Sequence, residues 1–169
     1  MHIYGVIGWK NAGKTTLVER LVAELTGRGL SVSTVKHTHH GVDVDQPGKD
    51  SHRHRNAGAR QVILASSARW ALMTELREAG EERLSDLLDR LDPVDLVIVE
   101  GYKRDEHPKI EAWRAETGQP LIAATDPTVR AVASTDTPET DRPVIDLDDV
   151  AAIADFLLSD LGLAARMRA

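Results

Sequence analysis

Residues 8–16, with the sequence GWKNAGKTT, constrain this chain more than any other segment. A short apolar run precedes them at residues 3–7, and a stretch with helically spaced leucines and valines follows. The pattern G-x-x-x-x-G-K-[ST] between a strand and a helix is typical of a phosphate-binding loop. Its glycines let consecutive backbone N–H groups point at phosphate oxygens. We therefore predict a nucleotide-binding fold.

Each part of this loop has a predicted role. The Lys14 side chain is expected to reach the β- and γ-phosphates and so to serve both binding and catalysis. The Thr15 hydroxyl is expected to ligate Mg²⁺. The residues predicted to surround the nucleotide phosphates are Gly8, Asn11, Ala12, Gly13, Lys14, Thr15 and Thr16.

A Mg²⁺ site of this kind also needs a carboxylate at the carboxyl end of a neighbouring parallel strand. The run DLVIVEG places Glu100 at that end of a predicted strand and Asp95 at the other. We therefore predict that Glu100 binds the metal or its water, whereas Asp95 caps the strand. Asp45, which follows the second predicted strand, could bind Mg²⁺ through water or orient an attacking water.

Residues 36–49 are dense in His, Asp and Gly and are interpreted as a functional loop. The histidines here and just beyond allow a second interpretation, a transition-metal site. Their spacing matches no closed zinc pattern, so a polar rim around a ligand is favoured over metal capture. The candidate metal-binding histidines are His37, His39, His40, His52 and His54.

Composition limits the remaining possibilities. The 169 residues fit one compact domain, 1–169, and the net charge of −6 argues against a protein that coats nucleic acid. There is no cysteine, which excludes disulfides and thiol catalysis. No apolar run approaches the roughly 20 residues of a membrane span, and the N-terminus lacks the layout of a signal peptide. We expect a soluble, cytoplasmic protein with no membrane or nucleic-acid partner.

The alternation of predicted strands and helices indicates an α/β fold, a three-layer sandwich of the P-loop NTPase type with a largely parallel sheet. Short predicted strands within 61–76 and 109–134, including one at 120–124, suggest an antiparallel extension of that sheet. A helix is predicted over 81–91 and another from about Asp149. Because the predicted helices cannot cover every strand, we expect an exposed sheet edge and, from it, a homodimer.

Three segments together resemble the molybdopterin-guanine dinucleotide biosynthesis protein B (MobB) family. They are GWKNAGKTT, KHTHHGVDVDQPGKDSHRHRNAGA, and LVIVEGYK followed by HPKIEAWR. The resemblance spans nearly the whole chain. It implies a homodimer that binds GTP and Mg²⁺, hydrolyses GTP slowly at most, and assists the guanylyltransferase that joins GMP to molybdopterin. Molybdopterin itself is a further candidate partner.

The same resemblance implies roles for individual residues. Phosphate binding falls to Gly13, Lys14, Thr15 and Thr16, and Mg²⁺ binding to Glu100 and Asp45. Guanine selection would fall to Asp126, whose surroundings resemble the position where related GTPases place a carboxylate against the guanine edge. The usual N-K-x-D guanine motif is absent, so the choice of base rests on the resemblance alone.

Two other classes of function stay open on the sequence. One is a small-molecule kinase with the same phosphate loop, although no arginine-rich lid segment is visible. The other is a metal-delivery GTPase of the nickel-insertion type, which only the histidines favour. No glutamine or arginine stands out as a residue that would speed hydrolysis, so the isolated protein is expected to hydrolyse GTP very slowly.

Overall fold

A computed structural model of the chain describes residues 1–38, 41 and 43–164, which form two compact units. The first unit comprises Met1–His37 and the chain from Asp89 onward, and the second comprises Thr38–Leu88. The interpretation of residues 1–169 as one domain stays a prediction. His39 and His40, two of the candidate metal-binding histidines, lie outside the described residues.

The elements alternate as the sequence pattern predicts, and short 3₁₀ turns at Ala115–Thr117 and Ile122–Ala124 supplement them. In chain order they are β1 (His2–Ile7), α1 (Lys14–Gly27), β2 (Val32–Lys36), α2 (Asp50–Asn56), β3 (Gln61–Ala65), β4 (Trp70–Thr74), α3 (Leu84–Leu88), β5 (Leu96–Glu100), β6 (Lys109–Ala112), β7 (Val129–Ala133), β8 (Val144–Ile145) and α4 (Val150–Asp160).

The first unit is built on a six-stranded sheet with the order β2-β5-β1-β6-β7-β8. Every neighbouring pair in it is parallel. Glu100, the last residue of β5, lies in register with Val6 of β1 on one side and Lys36 of β2 on the other. The carboxyl ends of these three strands therefore meet at one edge of the sheet, where the loop after β1 begins.

Apolar side chains cover both faces of this sheet. On one face, α1 and α4 pack against the strands through fully buried residues such as Leu21 and Leu157. Successive strand residues point to opposite faces, so Ile7 belongs to a second cluster with Ala123 and Val132. Each fully buried aliphatic side chain stabilises the fold by roughly 1.5–3 kcal/mol. The two clusters together hold the edge with the loop after β1 in place.

The fold class predicted from the sequence is confirmed: a largely parallel sheet with helices, accompanied by antiparallel strands. The antiparallel pair β3–β4 forms a separate two-stranded sheet in the second unit. Placing the strands of 109–134 in the antiparallel part was wrong, because β6 and β7 pair in parallel with β1 and with each other.

Two smaller predictions also need correction. Residues 120–124 do not form a strand, because the buried Glu111 carboxylate accepts the N–H groups of Ile122 (2.9 Å) and Ala123 (2.8 Å) and holds this backbone in a 3₁₀ turn. The helix predicted over 81–91 is limited to α3, in which Leu84 and Leu88 are the buried residues.

In the second unit, Arg55 of α2 links the segment before this helix to the residue that follows β4. Its guanidinium contacts the carboxylates of Asp43 (2.7 Å), Asp45 (3.3 Å) and Glu75 (2.7 Å). The hydrogen bond from Arg55 holds the pKa of Asp43 below its usual value. No helix in the described part of the chain is long and apolar enough to cross a membrane.

Candidate functional site

The loop between β1 and α1 has the backbone that its glycines predict. The φ angles of Gly8, Asn11 and Gly13 are +147°, +67° and +94°, a region that side chains other than glycine and asparagine rarely adopt. A Cβ added to Gly8 would lie 2.3 Å from the carbonyl oxygen of Ala112. Because α1 starts at Lys14, the positive end of its dipole points into the loop.

Positive charge surrounds this loop. The Lys14 ammonium donates to the carbonyl oxygen of Trp9 at 2.7 Å, within the loop itself. Burial lowers the pKa of Lys14, and the charges of Lys103 and Lys36 lower it further, against the opposing effect of Glu100. Three ammonium groups near one loop produce a potential that attracts anions, and phosphate is the anion that such a loop fits.

Thr15, Glu100 and Lys36 form a compact polar cluster beside Lys14. The Thr15 hydroxyl donates to Glu100 Oε1 at 2.9 Å. The Lys36 Nζ lies 3.3 Å from the same carboxylate oxygen and 3.4 Å from the Thr15 hydroxyl oxygen. Glu100 is 8% exposed, so its carboxylate relies on these contacts more than on water.

The oxygens of Thr15 and Glu100 suit Mg²⁺, which prefers oxygen ligands and usually shares them with waters and substrate phosphates. Among the residues that the structure describes, no three His, Cys, Asp or Glu side chains converge as a metal site. The two oxygen donors fit a Mg²⁺ held jointly with a nucleotide. The transition-metal interpretation, which includes His39 and His40 beside His37, His52 and His54, stays a prediction.

Strand polarity places Glu100 and Asp95 as predicted. Glu100 ends β5 beside the loop, whereas Asp95 precedes β5 at the opposite edge. There the Asp95 carboxylate accepts hydrogen bonds from the backbone N–H (2.9 Å) and hydroxyl (2.6 Å) of Ser31, which ties the starts of β2 and β5 together. The metal role of Glu100 stays a prediction.

Aromatic side chains fix the segments around the loop. The Trp9 indole N–H donates to the carbonyl oxygen of Pro120 at 2.7 Å, and the Lys103 Nζ lies 4.2 Å from the centre of the Trp9 ring. His37 and Tyr102, which follow β2 and β5, stack with ring centroids 4.6 Å apart. The segments after β1, β2 and β5 therefore support one another.

A cavity of about 490 Å³ opens beside this loop, a volume in the range of small-molecule sites. Its lining combines loop residues with the segment after β6. The lining residues are Trp9, Lys10, Asn11, Glu116, Thr117 and Gln119.

Asp45, the other residue predicted to serve Mg²⁺, belongs to the second unit. The Asp45 carboxylate, in the second unit, accepts a hydrogen bond from the Ser51 hydroxyl at 2.8 Å and pairs with Arg55. Its predicted role toward Mg²⁺ stays a prediction.

Asp126 precedes β7, at the amino end of the strand, whereas the phosphate loop follows the carboxyl end of β1. Its carboxylate accepts from the N–H (2.9 Å) and hydroxyl (2.6 Å) of Thr128 and lies 3.7 Å from the Lys109 Nζ. Burial opposes ionisation of Asp126, but these hydrogen bonds and the Lys109 charge outweigh it and lower its pKa. Guanine selection by Asp126 stays a prediction.

Lys36 has no role among the sequence predictions, although a signal for one was present. Lys36 is the last residue of β2 and lies in register with Glu100. Two neighbouring parallel strands that end in Lys and Glu bring opposite charges together at the edge with the phosphate loop. Recognising this requires knowing that β5, and not β1, is the neighbour of β2.

A phosphate loop at the carboxyl end of the central strand, on a parallel sheet with helices, defines a P-loop NTPase fold. The chain belongs to the family described as molybdopterin guanine dinucleotide synthesis protein B, or MobB, whose family model matches residues 3–135.

Individual relatives agree with this assignment. The molybdopterin-guanine dinucleotide biosynthesis adapter proteins of Escherichia coli and Haemophilus influenzae are each 44% identical to this chain. The first match covers 89% of this chain and 87% of the relative, and the second covers 92% and 86%. The crystal structure of a MobB homologue from Bacillus stearothermophilus superimposes with a TM-score of 0.68 at 29% identity, covering 95% of this chain and 98% of the other. The crystal structure of Bacillus subtilis MobB superimposes with a TM-score of 0.72 at 26% identity, covering 94% of this chain and 97% of the other.

Proposed function

We propose that this protein is a GTP-binding adapter in molybdenum cofactor biosynthesis. In this role it would assist the guanylyltransferase that attaches GMP to molybdopterin. Its relatives are named molybdopterin-guanine dinucleotide biosynthesis adapter proteins, which supports an adapter role in that synthesis. The observation that carries the nucleotide part is the phosphate loop, with Lys14 inside it and the Thr15–Glu100 pair beside it. The similarity to the curated adapter proteins supports the pathway.

The chain's own residues divide the work of nucleotide binding. The loop backbone from Gly8 to Gly13 offers N–H groups to the phosphates, and Lys14 adds a positive charge. Thr16 lies in the first turn of α1. Thr15 and Glu100 would hold Mg²⁺, which neutralises charge on the β- and γ-phosphates when it is bound. Because Lys36 contacts both of these side chains, its ammonium competes with a cation for the same oxygens.

Calorimetric titration with GTP and with ATP, each with Mg²⁺, tests this function. We expect GTP to bind more tightly, because a site built to pair with the guanine edge discriminates strongly against adenine. Steady-state phosphate release should lie far below the roughly 10 per second of a typical enzyme. A pulldown with the purified guanylyltransferase should retain that enzyme. Equal affinities for the two nucleotides, or rapid turnover, would contradict the proposal.

The proposed part of Asp126 in this preference has its own control. Asp126→Ala should reduce the preference for GTP if the carboxylate pairs with guanine. Thr128→Val removes the hydroxyl that donates to Asp126 but keeps the backbone N–H donor and the carboxylate, so it reports on local structure alone. A loss of preference shared equally by both variants would assign Asp126 a structural role.

We expect Glu100→Gln to weaken Mg²⁺-dependent GTP binding by about tenfold or more, since a charged metal ligand becomes a neutral one. Asp95→Asn is the matched control, because it makes the same chemical change at the opposite end of β5, where the carboxylate contacts Ser31. Titrations with GTP in the presence of Mg²⁺ and of EDTA measure the effect. A larger loss of Mg²⁺-dependent affinity in Asp95→Asn would reject the assignment of Glu100.

A homodimer is the assembly we propose, formed through the β3–β4 hairpin. Large apolar side chains are exposed on both of its strands, among them Ile63 (65%) and Trp70 (67%). A two-stranded sheet with exposed apolar residues has two unpaired edges, and a second copy related by two-fold symmetry can cover them.

Sedimentation velocity of the unsubstituted protein should then show a dimer, and Ile63→Asp should shift it to the monomer because a charge would be buried in the interface. Val144→Asp is the control on a second candidate surface, since Val144 is 45% exposed on the edge strand β8. If Val144→Asp dissociated the dimer and Ile63→Asp did not, the interface would be assigned to β8.

A further inference from the structure

One arginine beside the phosphate loop has no role in the function proposed above. Arg114 follows β6 and is half-buried. A Cβ added to Gly13 would lie 3.6 Å from its Nε and 3.9 Å from its Nη2, so the guanidinium lies against the last loop residue before Lys14. Over residues 1–38, 41 and 43–164, the Arg114 side chain makes no hydrogen bond or ion pair.

The backbone at Arg114 is held firmly in spite of this free side chain. Its carbonyl oxygen accepts hydrogen bonds from both the N–H (3.1 Å) and the hydroxyl (2.8 Å) of Thr117. The next N–H, that of Ala115, donates to the Asp136 carboxylate at 2.8 Å. Asp136 follows β7, so residues from two strand ends fix the position from which the Arg114 side chain extends.

The charge around the loop favours an anion at this guanidinium. Burial and then the charge of Lys103 lower the pKa of Lys14, and Lys36 acts in the same direction. Arg114 adds a further positive group against Gly13 and pairs with no carboxylate of the described residues. An anion with several oxygens in the loop would pair with these cations.

We propose that Arg114 binds the nucleotide's phosphate chain at its α/β part; this rests on the proposed function of the same loop. A guanidinium can pair with two phosphate oxygens at once, which an ammonium cannot. The backbone of a phosphate loop holds the α- and β-phosphates, and its lysine extends to the β- and γ-phosphates. Arg114 lies against the backbone of Gly13, so its contact is common to GTP and GDP.

Isothermal titration of the full chain with GTP and with GDP, both with Mg²⁺, tests this assignment. Arg114→Gln should weaken both nucleotides by the same factor, about tenfold or more, as expected for a lost charge-assisted pair. Arg114→Lys should recover part of the loss, since it keeps the charge but not the fork. Arg130→Gln is the matched control. Arg130 lies close to the amino end of β7, and its side chain pairs with Asp160. Thermal melts of each variant report folding separately.

Each of the following outcomes would overturn the assignment. Unchanged affinity in Arg114→Gln contradicts it directly. A loss of affinity for GTP but not for GDP would instead assign the contact to the γ-phosphate. A protein that binds neither nucleotide before substitution would remove the proposed function and this inference together. Intact binding in Arg114→Gln beside lost binding in Lys14→Ala would contradict the role of Arg114 alone.

Discussion

Replacing Lys14 by alanine is expected to weaken triphosphate binding by at least about 100-fold, which corresponds to roughly 3 kcal/mol. Lys14 lies inside the loop, its ammonium contacts only a loop carbonyl among the hydrogen bonds described, and its charge is the one positioned to reach the β- and γ-phosphates. Isothermal titration with GTP and Mg²⁺ measures the loss.

The fold should survive this substitution, because Lys14 contributes charge and no apolar packing. Circular dichroism and the melting temperature of Lys14→Ala should therefore match those of the unsubstituted protein. Lys49→Ala, at an exposed lysine before α2, removes the same charge in the second unit and should bind GTP normally. If Lys14→Ala bound GTP with normal affinity, the loop would not be a phosphate site.

Gly8→Ala is expected to destabilise the protein by about 3 kcal/mol or more, since it combines backbone strain with a steric clash. The new Cβ would lie 2.3 Å from the carbonyl oxygen of Ala112, and backbone atoms of a central strand cannot move aside cheaply. For a chain of this size such a loss lowers the melting temperature by roughly 6–12 °C. Thermal unfolding followed by circular dichroism gives the value.

Gly118→Ala separates the effect of backbone strain from that of the steric clash. Gly118 also has a positive φ, +63°, but a Cβ added there would meet nothing within 4 Å. It should therefore cost only the strain, about 1 kcal/mol. Equal destabilisation by the two substitutions would show that the close approach of β1 to β6 at Gly8 does not matter.

The local features of this site could be predicted from the sequence because each follows from nearby residues. The order strand, glycine-rich loop, helix places Lys14 and Thr15 without any long-range information. The choice of Glu100 over Asp95 needed only the direction of one strand. Both predictions depend only on residues that are close to one another in the sequence.

The predictions that failed depend on contacts between distant segments. The 3₁₀ turn at Ile122–Ala124 is held by Glu111, whose burial in β6 no local pattern reveals. The parallel pairing of β6 with β1 joins residues about a hundred positions apart. Arg114 was missed for the same reason, since only that pairing brings it to Gly13.

The strand order also determines when each strand can pair during synthesis. β1 and β2 are encoded first, yet they do not pair with each other, because β5 lies between them. From Lys36 to Leu96 the ribosome must add 60 residues (96 − 36), which takes about 3–12 s at roughly 5–20 residues per second. Throughout that interval the apolar strand that carries the phosphate loop has no partner in the sheet. The strand that precedes the phosphate loop therefore waits for β5 and β6, and until then β1 presents open edges to chaperones and to neighbouring chains.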